Sequence, residues 1–134
     1  MRKNNARLVG VAVTALLGMT AWAGYKNSHT VSVTIGSNGS GGAASGSLAS
    51  ARNSSDTVQY IGCETHAYGG GSEIMCFARA SNGTFGSCYS SNPVIVAIVQ
   101  SIKGDSEIEI QWNSGSECTF VSVGNHSHLA PKNP

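Results

Sequence analysis

The 134 residues carry eight Lys+Arg against seven Asp+Glu, 11% charged and 7% aromatic side chains, 17 glycines and four cysteines. That composition fits one small globular domain and excludes a multi-domain enzyme. Arg2, Lys3 and Arg7 lie in the segment expected to be removed, and without them five basic residues face seven acidic ones, a net charge of −2, so no basic excess remains to meet a nucleic acid.

The chain opens with the basic stretch Met1 to Arg7, continues through an apolar run from Leu8 to Met19, and places Ala21 and Ala23 at −3 and −1 of a cut before Gly24. This is the layout of a cleavable secretory signal over residues 1–23. Its apolar core is short against the ~20 residues of a bilayer span, and no second long apolar run follows. The expected product is secreted, extracellular or periplasmic, with no stable membrane insertion.

Residues 24–47 read as an N-terminal strand plus a tether. Val31, Val33 and Ile35 alternate with Ser32 and Thr34, the period-two pattern of a half-buried strand. From Gly36 to Ser50, ten of fifteen residues are Gly or Ser, a composition expected to behave as a flexible leash. A clean strand on such a leash is suited either to strand addition, with Val31, Val33 and Ile35 setting register in a neighbour's sheet, or to folding back onto its own domain.

Residues 48–125 read as the compact part. Cys63, Cys76, Cys88 and Cys118 are an even number in a chain bound for an oxidising compartment, so two disulfides are expected. Gly69, Gly70 and Gly71 lie midway between Cys63 and Cys76, and strands over 58–65 and 74–80 would set those two cysteines opposite each other, leaving Cys88 to pair with Cys118. No C-x₂-C or C-x₄-C spacing supports zinc. Arg52 and Asp56 are placed to form a partly buried ion pair before the first of these strands.

Ser81-Asn82-Gly83 signals a turn, and residues 84–89 form a short strand. Asn92 suits an N-cap and Pro93 the first helical position, which predicts a helix over about 93–103 ended by Gly104. Glu107 to Trp112 alternates as a strand. A loop of Ser114, Gly115 and Ser116 would pair Trp112 with Cys118, Ile110 with Phe120 and Glu109 with Val121, setting Trp112 over the second disulfide. Residues 126–134 read as a C-terminal tail. The expected fold is mainly β, a small antiparallel sheet or sandwich of hairpins with one short helix, stapled by two disulfides.

Chemistry-bearing patterns are sparse. His126 and His128 could share one face, with His66 or Glu64 completing a site, but solvated histidines explain them better. Asp105, Glu107 and Glu109 suit a solvated sheet face that discourages edge pairing. No G-x-S-x-G elbow occurs, and the glycine runs lack a P-loop's following lysine. We assign no catalytic residue, metal ligand or cofactor. Tyr60, Tyr68 and Trp112, with Tyr89, are the candidate binding aromatics, Tyr68 standing out in its glycine-rich hairpin. The expected function is a secreted, non-catalytic structural, adhesive or surface-assembly protein whose partner is itself or another extracellular protein. The alternative is a small monomeric effector or binding module, such as an inhibitor, toxin or ligand binder.

Overall fold

A computed structural model describes residues 24–133, so the expected leader, 1–23, lies outside the described residues. Seven strands form two antiparallel sheets. Strands β1 (Ser32–Ile35), β2 (Gly41–Ser47), β6 (Glu107–Asn113) and β7 (Cys118–Gly124) make a four-stranded sheet in the order β1-β2-β6-β7. Strands β3 (Tyr60–Tyr68), β4 (Gly71–Arg79) and β5 (Phe85–Ser90) make a three-stranded sheet in chain order. The expected β architecture is therefore present, with its hairpins sorted into two sheets whose inner faces share one core.

That core draws Ala44, Ile108, Ile110 and Val121 from one sheet and Ile61, Ile74, Cys76 and Ala78 from the other. The largest member of this core is Trp112, whose indole fits only because β2 and β5 present glycine beside it: a Cβ at Gly42 on β2 or at Gly86 on β5 would overlap the ring. Protein interiors are close-packed, so a side chain this large fixes what its neighbours can be.

This corrects the reading of the Gly/Ser stretch. Gly41–Ser47 is no leash but a strand paired on both sides, with Ser32↔Ser45 through Ile35↔Gly42 toward β1 and Gly41↔Asn113 through Ser47↔Glu107 toward β6. Its small residues are what a strand wedged under Trp112 and against Val31 requires. The N-terminal strand accordingly folds back onto its own domain. Val31 is buried, Val33 packs against the core, and Ile35 ends the strand half exposed. The Val31 amide also donates to Gln59 Oε1 at 3.0 Å.

Two short helices bridge the sheets. The first, α1 (Leu48–Asn53), had no counterpart in the sequence reading; Ser47 caps it by accepting from the Ser50 amide, and it packs on β2 and β3. The second, α2 (Pro93–Val99), begins as expected, with Asn92 Oδ1 accepting from the Val94 amide at 2.9 Å. It stops at Val99, well short of Lys103, and packs on β3, β4 and β7 through Val96 and Val99. A run rich in β-branched residues has low helix propensity, so helix persists only where tertiary contacts hold it.

The disulfides are Cys63–Cys76, across β3 and β4, and Cys88–Cys118, from β5 to β7. Cys63, Cys76 and Cys88 stand side by side in the three-stranded sheet. The second disulfide joins one sheet to the other, and beside it the Tyr89 amide donates to the Ser116 carbonyl at 3.0 Å. In the last hairpin Trp112 does oppose Cys118, but a bulge at Thr119 moves the remaining register by one, giving Gln111↔Phe120 and Ile110↔Val121. A one-residue slip reverses which side chains face inward, so Val121 is buried and Phe120 is exposed.

The C-terminal residues are docked as well. Leu129 is buried, the Ala130 amide donates to the Asn27 carbonyl, and the Asn133 amide donates to Asn53 Oδ1.

Candidate functional site

Strand parity decides what the three-stranded sheet shows to solvent. Cys63 and Cys76 face the core, so Ile74, Cys76 and Ala78 point inward and Glu73, Met75, Phe77 and Arg79 point outward. Register then sets Tyr60 and Phe85 on either side of Arg79, Gly62 and Ser87 beside Phe77, and Glu64 and Tyr89 beside Met75. The outer face is a continuous apolar and aromatic surface. Tyr60 is 40% exposed, Met75 47%, Phe85 45% and Tyr89 47%.

Geometry within the face is specific. The Tyr60 and Phe77 rings meet edge to face with centroids 5.9 Å apart, an arrangement the ring quadrupoles favour. The Arg79 guanidinium lies 5.8 Å from the Tyr60 ring centroid and 5.7 Å from that of Phe85, so two aromatic rings flank one cation. Among the described residues Arg79 has no carboxylate partner, and its Nε is buried without a hydrogen bond. The other end of the face is acidic. Glu73 lies opposite His66 in the register, and His66 Nε2 approaches Glu64 Oε2 at 3.3 Å. The surface thus runs from a positive end through aromatics and a methionine to a negative end.

Of the residues marked from the sequence, Tyr60 and Tyr89 belong to this face. Tyr68 shares the parity of Tyr60 and is 54% exposed, but it sits eight residues along β3, about 26 Å away at strand rise, on a hairpin tip that is exposed on both sides. Trp112 is a correction: at 9% exposure it belongs to the core. Val33 and Ile35 are paired within their own sheet, and Val31, just before the strand, is buried with its amide on Gln59 Oε1. Met75, Phe77, Arg79 and Phe85 were missed. The signal was present, because with Cys63 joined to Cys76 the cysteine parity marks every second residue from Glu73 to Arg79 as outward.

The remaining ionisable groups are dispersed. His29 Nδ1 contacts Glu107 Oε1, Glu109 accepts from Gln111 Nε2 at 3.3 Å, and Asp105 accepts from the Lys132 amide at 3.2 Å. His126 stacks on His128 with ring centroids 5.1 Å apart. No group of three or more His, Cys, Asp or Glu side chains converges among the described residues. The Arg52–Asp56 pair also does not form: Arg52 donates to the Gly104 carbonyl. Asp56 instead accepts from the Gln59 amide, the Gln59 side chain and the Val58 amide. Those bonds, the Gln59 amide first, lower its pKa from 3.8 to about 2.

A cleft of about 610 Å³ opens beside Tyr89, between Asn92 and Pro93 at the start of α2 and Glu117 and Thr119. No helix among the described residues is long and apolar enough to cross a membrane, and two disulfides are compatible with an extracellular location. Comparison with protein families, with curated proteins and with solved structures returns no match to this chain.

Proposed function

We propose that this is a secreted, non-catalytic structural or surface-assembly protein that loses residues 1–23 on export and contacts another protein through the outer face of its three-stranded sheet. The observation that carries the reading is the surface on which exposed Tyr60, Met75, Phe85 and Tyr89 surround the half-buried Phe77. Contiguous apolar surface of this kind on a small soluble domain marks an interaction site, and aromatics, Met and Arg are the residue types enriched where proteins meet. Contact through this face needs no rearrangement. Donation of β1 to a neighbour would first have to break its pairing with β2 and the Val31–Gln59 bond.

The test is made in the producing cell. The exported chain is expected to begin at Gly24 and to fractionate with a surface-associated or higher-order assembly. A Tyr60→Ser/Phe85→Ser/Tyr89→Ser variant with intact disulfides is expected in the free soluble fraction. Retention of the leader, or identical fractionation of the two proteins, overturns the reading.

A further inference from the structure

We infer that the partner covering this face is a second copy of the same chain, packed face to face about a two-fold axis; the inference rests on the assembly reading above. Along β4 the outward residues are Glu73, Met75, Phe77 and Arg79. A two-fold axis lying in the interface and crossing the strands at Cys76 reverses this order on the second copy. Arg79 then opposes Glu73 and Phe77 opposes Met75, each contact occurring twice, as an isologous interface demands. The flanking strands agree. Tyr89 on β5 opposes Ser87, a large side chain over a small one, and Glu64 on β3 opposes Gly62.

The competing two-fold, with its axis along the strands, would stack Arg79 on Arg79 and Glu73 on Glu73 and is opposed by like-charge repulsion. Charge complementarity therefore selects one orientation. It also gives Arg79 the carboxylate that it lacks among the described residues. From the Glu73 row to the Arg79 row the face is about 20 Å long and roughly 10 Å across its three strands, about 200 Å² per copy in projection, which is below the area of a standard stable interface and fits a weak, transient association. The dimer is accordingly concentration-dependent rather than permanent.

The experiment is sedimentation of the oxidised, exported protein over about 1 μM to 1 mM, spanning weak to moderate association constants. Wild type is expected to pass from monomer to dimer in that range. Arg79→Glu and Glu73→Arg should each weaken dimerisation by about tenfold or more, because each reverses both symmetric contacts. An equimolar mixture of the two variants should restore it, since each chain then meets opposite charge at both positions. A dimer that survives both single changes, or a mixture that associates no better than its components, overturns the inference, as does a monomer at every concentration.

A second readout needs no variant. Met75 is the one methionine beyond residue 23, and its methyl resonance should move on dilution as it leaves the opposing Phe77 ring; an unchanged resonance contradicts the packing. If surface association in the cell depends on the face while the purified protein stays monomeric, the self-pairing falls and the assembly reading stands.

Discussion

The two sheets share a core but present opposite outer faces. On the four-stranded sheet the outward positions carry Ser32, Thr34, Ala43, Ser45, Glu109 and Ser122, with Ser32 and Ser45 hydroxyls 3.2 Å apart, and Phe120, pushed outward by the bulge, is the exception. On the three-stranded sheet the equivalent positions carry Tyr60, Met75, Phe77, Arg79, Phe85 and Tyr89. Both inner faces are apolar and closed. The outward aromatics are therefore not something the sandwich needs in order to fold, since the neighbouring sheet manages with serine and alanine.

The sharpest challenge to that comparison is to remove a large side chain from the shared interior. Trp112→Ala should cost about 3–5 kcal/mol in urea unfolding of the oxidised protein, because the space between Gly42 and Gly86 cannot collapse fully. A loss near the surface-substitution range of about 0.5 kcal/mol would mean that the sheets do not depend on this contact.

The staples come next. By loop length, removing Cys88–Cys118, which closes a separation of 30 residues and joins the sheets, should cost nearly 4 kcal/mol, against about 3 kcal/mol for Cys63–Cys76, with its separation of 13. Cys→Ser pairs compared by thermal and urea unfolding would check the order. The reverse order would indicate that the three-stranded sheet depends more on its internal staple than on its link to the other sheet.

A smaller effect lies at the seam between the sheets, where Gln59 takes the Val31 amide on one side and holds Asp56 on the other. The Asp56 pKa is depressed in the folded state, from 3.8 to about 2, so its contribution is complete above pH ~4 and is lost as pH falls toward 2. Asp56→Asn should flatten the acid limb of a plot of melting temperature against pH over that window and leave the neutral region sloping as before. An unchanged acid limb would place the titration elsewhere.

The smallest expected change is Tyr89→Ser on the outer face. It should alter stability by no more than about 0.5 kcal/mol while impairing association. A cost comparable to Trp112→Ala would make the aromatic face part of the fold rather than a contact surface.

Much of this was legible along the chain. The alternations around Val33 and Ile108, the glycine turn between Cys63 and Cys76 and the Asn92-Pro93 start of α2 are local signals, and the structure realises each of them. The cysteine pairing was readable because the hairpin sets Cys63 opposite Cys76 and leaves Cys88 for Cys118. Composition misled at Gly36 to Ser50, where the same residues suit a flexible linker or a strand pressed beneath a tryptophan, and nothing within the stretch tells the two apart. The bulge at Thr119 was equally silent, since both registers of β7 give plausible pairs and only packing chooses Val121 for the interior.

Taken by itself, the sequence determined the β class, the pairing of the two cysteines within a hairpin and the start of α2, because turns, caps and period-two patterning act over a few residues. Tertiary structure alone decided that the Gly/Ser segment is an interior strand, that Trp112 is core and that Tyr60, Arg79 and Phe85 meet on one surface. Those outcomes depend on which distant strand lies alongside, through the close approach of Gly42 and Gly86 to one indole and the register that sets three strands abreast.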